Sequence, residues 1–341
     1  MTSPPRILVV RNDKLGDFLL AWPALALLRA SLPDAHLDAL VPEYTREAAG
    51  LCPALDGVVL DPGPEAGVAA LAERLRAGRY DALLTLFSTG RVAWAGWRAR
   101  IPYRLAPATK WAQVLYNARL TQRRSRSEKP EHAYNSDLAR HLVRHLGAAP
   151  VEVGPPYLVF EADEVRARRE RLCAELGLAP DLRLVFVHAG HGGSARNLAL
   201  ERYAELGRAL RSDRGHALVL SAGPGERAAA ERLGALVGDG VPHAVHESRA
   251  GLADFARCVA GADVFVAGST GTLHLAGALD VPTAGFYPRR RSSTPLRWQT
   301  LNRPERRLAW CPDAGVHESD MGSIDVVAAA REISAAFLGA R

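Results

Sequence analysis

Ile7-Leu-Val-Val-Arg-Asn-Asp-Lys-Leu-Gly-Asp17 begins as an unbroken apolar run, turns through a short polar segment and opens an amphipathic stretch that continues to Ser31. A short apolar run followed by a helical pattern is how a strand buried on both faces and its crossover helix read in sequence. The alternation continues through strands at Leu37 to Val41 and Val58 to Asp61, a helix at Val68 to Ala77 and a strand at Tyr80 to Phe87. It then loosens into a long basic stretch ending near Lys129, followed by a helix from about Tyr134 to Leu146. Gly147 to Pro156 is a cluster of breakers that reads as a linker. Beyond it the alternation restarts: strand Leu182 to Val187, helix Leu200 to Arg211, strand Ala217 to Ser221, helices Glu226 to Val237 and Leu252 to Ala260, strand Val264 to Ala267, helix Thr272 to Leu279 and strand Thr283 to Tyr287. The expected fold class is α/β, with two Rossmann-like domains of parallel sheet, residues 1–150 and 151–324, and a cleft between them. A last helix, Asp325 to Phe337, could pack on either domain. Ligands of such sheets sit beyond the carboxyl ends of the strands.

Length and composition agree with this reading. A chain of 341 residues exceeds what one core usually supports, so two domains are expected. A hydrophobic fraction of 48% excludes disorder, and 6% aromatics argues against stacking platforms for single-stranded nucleic acid. The four cysteines are scattered and form no C-x-x-C pair, so they read as free thiols of a reducing, cytoplasmic protein. No run approaches the ~20 apolar residues of a membrane span. A net charge of +6 favours anionic partners.

Three loops following strands carry candidate chemistry. In the first, Gly16 permits a tight turn and Asp17 stands at a helix start, either as a cap or as a group presented to a ligand. The second, His188-Ala-Gly-His-Gly-Gly-Ser194-Ala-Arg196-Asn197, can line an anion site with backbone N–H groups and the charge of Arg196, or be a plain flexible loop. Its match to G-x-G-x-x-G/A is discounted, because the helical pattern begins about four residues too late. The third is Gly268-Ser269-Thr270-Gly271-Thr272-Leu-His274, where a strand feeds a helix of small residues. Its free N–H groups make a phosphate site, compatible with capping by Thr270 or Thr272. No P-loop, nucleophile elbow, H-E-x-x-H or D-x-D occurs. The basic stretch from Arg91 to Lys129 is interleaved with Trp94, Trp97, Tyr103, Trp111 and Tyr116, which suits a solvated surface, RNA, or sugar stacking beside anionic groups.

In order and spacing these segments resemble glycosyltransferase family 9, the ADP-heptose:lipopolysaccharide heptosyltransferases. The resemblance rests on Ile7 to Asp17 with Trp22-Pro-Ala-Leu25, on Leu200-Glu-Arg-Tyr-Ala-Glu-Leu206, on Ser269 to Ala276, and on Arg104 to Asn135. It implies the GT-B fold and inverting transfer of a heptose-like sugar from an ADP-sugar co-substrate, with no metal or other cofactor. Asp17 would then be the general base. Donor contacts would come from Ser194, Arg196, Glu226 (to the ribose), Ser269, Thr270, Gly271, Thr272 and His274. Arg196 replaces the family's usual Lys, and Ser269 stands where heptosyltransferases commonly carry Asp. Lys14, Arg104, Lys110, Arg123 and Arg124 would face the acceptor. The implied acceptor is an anionic glycolipid of the lipid A core in a bacterial cytoplasm, with peripheral contact at the inner face of the inner membrane and no nucleic-acid partner. A nucleotide-sugar epimerase of the same shape, or a non-enzymatic nucleotide- or RNA-binding protein, is the alternative.

Overall fold

The computed structural model describes residues 4–109, 111–190 and 197–339. The chain divides into two compact units, Met1–Tyr157 and Leu158–Arg341. Unit 1 runs β1 (Arg6–Val10), α1 (Leu15–Leu19), α2 (Trp22–Ser31), β2 (His36–Val41), α3 (Arg46–Leu51), β3 (Gly57–Leu60), α4 (Gly67–Ala77), β4 (Ala82–Thr85), α5 (Gly90–Arg98), β5 (Tyr103–Pro107), β6 (Ala118–Leu120) and α6 (Glu131–His145). Its strands lie in the order β3-β2-β1-β4-β5-β6, every pair parallel. The chain therefore starts in the middle, builds one side, then crosses to build the other. The strand order reverses between β1 and β4, which are hydrogen-bonded neighbours. That switch point leaves a crevice at the carboxyl ends, where the two outgoing loops diverge.

Unit 2 repeats the plan with α7 (Ala162–Leu176), β7 (Arg183–His188), α8 (Leu200–Ala209), β8 (His216–Ala222), α9 (Arg227–Val237), β9 (His243–Glu247), α10 (Gly251–Ala260), β10 (Val264–Gly268), α11 (Gly271–Ala278), β11 (Thr283–Phe286), β12 (Arg307–Trp310) and α12 (Val326–Phe337). Its order is β12-β11-β10-β7-β8-β9, again parallel throughout, with the switch point between β7 and β10.

Parallel sheets are covered on both faces, so their central strands carry little but aliphatic side chains. Leu8 and Val10 of β1, Leu40 of β2 and Leu83 of β4 pack under Leu71 and Leu75 of α4 and Val92 of α5. In unit 2, Val185 and Val187 of β7 and Leu218 and Leu220 of β8 pack against Tyr203 and Leu206 of α8 and Leu233 of α9. The last helix belongs to this core: Val326, Ala329, Ala330 and Ile333 of α12 join it. Arg211 N–H also donates to Ser334 Oγ at 2.9 Å.

The structure departs from the sequence reading in several places. The stretch Asp17 to Ser31 is two helices, not one, with Pro23 within the first two positions of α2. Proline has no N–H for the carbonyl four residues back and its ring clashes with it, so α1 stops and α2 starts afresh. The stretch read as loose and basic contains α5, β5 and β6, and the segment after the linker contains α7. Strands β9 and β12 are edge strands with mostly half-buried side chains, so they lack the apolar run that marks the central ones.

Candidate active site

In unit 1 the constellation forms where β1 ends. Arg11, the residue after β1, is buried, and its guanidinium is surrounded by acceptors. Its Nε donates to Asp13 Oδ1 at 2.9 Å, Nη2 to Asp17 Oδ1 at 2.5 Å and Nη1 to Glu131 Oε1 at 3.1 Å. Burial disfavours a charge here, but three carboxylates outweigh it and hold the guanidinium protonated. Asp17 is the third residue of α1. It does not cap the helix: Lys14 occupies the cap position and no side chain caps it. Arg11 instead fixes the orientation of the Asp17 carboxylate.

Glu131, the first residue of α6, is shared. Its Oε1 also accepts from Arg124 Nη1 at 2.7 Å, and Arg124 reaches Leu86 O at the end of β4. Asn135, one turn along α6, accepts from Arg11 at 3.5 Å and donates to Leu20 O between α1 and α2 at 3.1 Å. Both sides of the β1/β4 switch point are thus tied to α6. Asp13 is pushed up to about 6, first by burial and then by the negative charge of Asp17, with Arg11 opposing. Arg11, Asp13, Glu131 and Asn135 were not singled out from sequence. The available signal was an arginine directly after a buried strand, where an unpaired charge could not stand.

Of the residues expected to face the acceptor, Arg124 joins this network, while Lys14 and Arg123 lie exposed near it in sequence. Arg104 does not join it. Its Nε donates to Leu115 O at 3.0 Å and its Nη1 to Ile101 O at 2.5 Å, and it lines a groove beside the residues that precede β5. Since β5 runs parallel to β1 and β4, that is the opposite end of the sheet from Asp17. The strand pattern missed β5, and with it the end to which this side chain belongs. Lys110, Ser194 and Arg196 lie outside the described residues.

In unit 2 the expected donor contacts gather at the carboxyl edge of three neighbouring strands. After β10 come half-buried Ser269 and Thr270, and α11 begins at Gly271. Thr270 takes the cap position, yet its hydroxyl lies 3.0 Å from that of Thr272 and makes no capping bond, so no side chain caps the first-turn N–H groups. His274 is buried one turn on, its N–H on Thr270 O. Beyond β8, Glu226 takes the cap position of α9 without capping it, and its carboxylate folds back to accept from Gly223 N–H at 3.0 Å. Its carboxylate lies 3.6 Å from His188 Nε2, whose ring is held by Ser221 O at 3.1 Å. Burial pushes the His188 imidazole below its usual range despite the carboxylate.

Two glycine positions make these approaches possible. A Cβ on Gly190 would sit 2.3 Å from the Glu226 carboxylate, and one on Gly268 would sit 2.4 Å from Asn197 Oδ1. Asn197 bridges β7 and α8, donating to Ala189 O at 3.0 Å and accepting from Tyr203 Oη at 2.5 Å. Neither His188 nor Asn197 had been assigned a role. β7 lies between β8 and β10, so the loop carrying Glu226 and the N-terminus of α11 flank the end of β7, with the Glu226 carboxylate turned towards Gly190 and His188. A helix N-terminus receives an anion and a carboxylate accepts from hydroxyl groups, so the pair suits a ligand that carries both.

Known proteins share both the sequence pattern and the fold of this chain. Residues 68–311 match the sequence profile of glycosyltransferase family 9 (heptosyltransferase). A protein of Haemophilus influenzae named as a glycosyltransferase is 48% identical over 93% of this chain and 91% of its own length. Among solved structures, a family 9 glycosyl transferase of Veillonella parvula aligns with a TM-score of 0.80 at 16% identity, covering 100% of this chain and 99% of that one. The ADP-heptose lipopolysaccharide heptosyltransferase II of E. coli aligns with a TM-score of 0.79 at 20% identity, covering 98% and 99%. With two parallel six-stranded sheets of GT-B type and a family profile spanning most of its length, this chain belongs to glycosyltransferase family 9, the heptosyltransferase family, and is a glycosyltransferase.

Proposed function

We propose that the chain transfers a heptose-like sugar from an ADP-sugar to the core of an anionic lipopolysaccharide precursor, inverting the anomeric centre without a metal. The observation that carries this reading is the span in unit 2 from Glu226 to the uncapped N-terminus of α11, which suits a nucleoside diphosphate from ribose to phosphate. The names of the E. coli structure and of a Salmonella typhimurium lipopolysaccharide heptosyltransferase 24% identical to this chain support the donor and acceptor classes.

In this mechanism the first-turn N–H groups of α11 and its dipole stabilise charge developing on the departing diphosphate. Asp17 takes the proton of the attacking acceptor hydroxyl. Arg11 occupies Oδ1 of that carboxylate and presents Oδ2 for the proton, which is why a buried arginine stands behind a base. Arg124, partly accessible beside its ion pair with Glu131, meets anionic groups of the acceptor.

The test is ADP release from ADP-heptose, with and without a truncated lipid A core acceptor. Release should require the acceptor and survive EDTA. Asp17→Asn should slow it by ~10²-fold or more while ADP affinity stays within about twofold. Donor turnover without acceptor would point to an epimerase, and near-normal turnover by a folded Asp17→Asn would remove Asp17 from the chemistry.

A further inference from the structure

Helix α5 turns its small residues inward: Val92, Ala93, Ala95 and Gly96 are buried against the sheet. Gly96 sits so close that a Cβ there would meet Leu83 Cδ2 at 2.5 Å and the stem of Arg104 at 3.7 Å. The outward face, where a surface helix normally carries charged and polar groups, presents Trp94 and Trp97, 44% and 52% exposed. Their rings are 6.0 Å apart. At the other end of α5, a Cβ on Gly90 would meet the ring of Trp111 at 3.0 Å, and Trp111 is 71% exposed. Val114, on the same 3₁₀ turn, is equally bare. Three of the chain's six tryptophans therefore stand in water along one helix about 14 Å long.

Charge adjoins this apolar band. Past the C-terminus of α5 lies an open groove of about 930 Å³ whose lining includes Arg76, Trp97, Arg98, Arg100 and Arg104 and no carboxylate. Arg76 donates to Arg98 O, and Arg100 is held in the left-handed region at φ 58° by the turn that ends the helix. A helix C-terminus favours one or two cations through its dipole. Four arginines around one groove exceed that need.

We infer that the outer face of α5, with its arginine groove, is a docking surface for a bilayer carrying anionic phospholipid headgroups. Tryptophan has an apolar body and a polar N–H, so it settles at the boundary between acyl chains and headgroups, and a helix lying in that plane buries such a face. Arginines beside it meet lipid phosphates, each strengthening attachment by about fivefold. No helix among the described residues is long and apolar enough to cross a membrane, so this contact is peripheral. The surface belongs wholly to unit 1 and does not depend on which sugar is transferred.

The experiment is co-sedimentation of the full chain with vesicles of phosphatidylcholine alone and of phosphatidylcholine with phosphatidylglycerol, at low and raised salt. Binding is expected only with phosphatidylglycerol and should weaken with salt. Trp94→Ala/Trp97→Ala should lower vesicle affinity by about tenfold or more, and Arg98→Gln/Arg100→Gln by about 25-fold. Both variants change exposed side chains, and an unaltered thermal midpoint and ADP affinity verify their fold. The proposal is overturned if the wild type does not sediment with anionic vesicles, or if both folded variants bind them as the wild type does. It is equally overturned if inorganic phosphate saturates the groove and leaves vesicle binding intact, or if the tryptophan variant only converts a dimer to a monomer.

Discussion

Arg11 shows how one buried side chain organises a loop. A guanidinium without partners could not stand at its depth, so Asp13, Asp17 and Glu131 converge on it, and the loop adopts the one shape that permits this. Burying Asp13 here, beside a second carboxylate on the same cation, has a measurable cost. Asp13 titrates near 6 in the folded chain, against an ordinary value near 3.9, so the folded state binds this proton more tightly than the unfolded one. Its contribution to stability is complete below about pH 4 and is lost as pH rises through 6. Asp13→Asn should therefore gain on the wild type by up to about 3 kcal/mol between pH 4 and pH 7 in paired urea titrations. Parallel curves for the two proteins across that range would mean that Asp13 is not strained by its neighbours. At Ser269 the question is selectivity. A carboxylate, the usual residue of the family there, accepts two sugar hydroxyls through charge-assisted bonds, whereas serine makes neutral ones. Ser269→Asp should shift the kcat/KM ratio of ADP-heptose over ADP-mannose upward by about one to two orders of magnitude. An unchanged ratio would show that this side chain does not read the sugar. The turns that carry Asp17, Glu226 and Ser269 could be placed from sequence because each follows a recognisable strand. Glu131 and Asn135 could not, because what selects them is an arginine 120 and 124 residues away.

Among the elements, the loops after β7 and β8 are coupled by the missing side chain of Gly190. A methyl group there would collide with the far end of a flexible side chain, not with backbone, so the strands should hold while Glu226 swings aside. Gly190→Ala is expected to cost little in thermal stability but to weaken ADP binding by about tenfold, the equivalent of one hydrogen bond to a charged group. Calorimetry with ADP decides the matter: wild-type affinity would separate Glu226 from the nucleotide. Apolar periodicity revealed the central strands, whose side chains are buried on both faces. It failed for α5, where the buried side is built from alanine, glycine and valine and the large apolar residues point outward. A helix whose exposed face is richer in tryptophan than its core face inverts the pattern on which such a reading depends.

At the scale of the whole molecule, ligand binding should leave a map of which unit holds what. ADP at a large excess over its Kd adds about 2.7 kcal/mol at 100-fold to the state that binds it. Hydrogen exchange on the full chain should accordingly slow at the ends of β7, β8 and β10 and in the first turn of α11, and remain unchanged around Arg11 and α6. Protection appearing first around β1 and β4 would reverse the assignment of the nucleotide to unit 2. The doubled architecture was legible as alternation broken by one Gly/Pro linker, whereas the place of the last helix was not. α12 is apolar enough for either sheet, and only its packing on α8 assigns it. That packing, and the rule that neither sheet borrows a strand from the other, set a timetable for the nascent chain. The first sheet is fully encoded once β6 has been made, but its arginine loop waits for α6 to deliver Glu131. Unit 2, by contrast, lacks part of its core until the final helix emerges, after a further ~10 to 40 s at ordinary elongation rates. During that interval a finished unit 1 trails an unfinished unit 2, and a ribosome stalled shortly before Val326 would hold an exposed apolar face on α8 for chaperones to find.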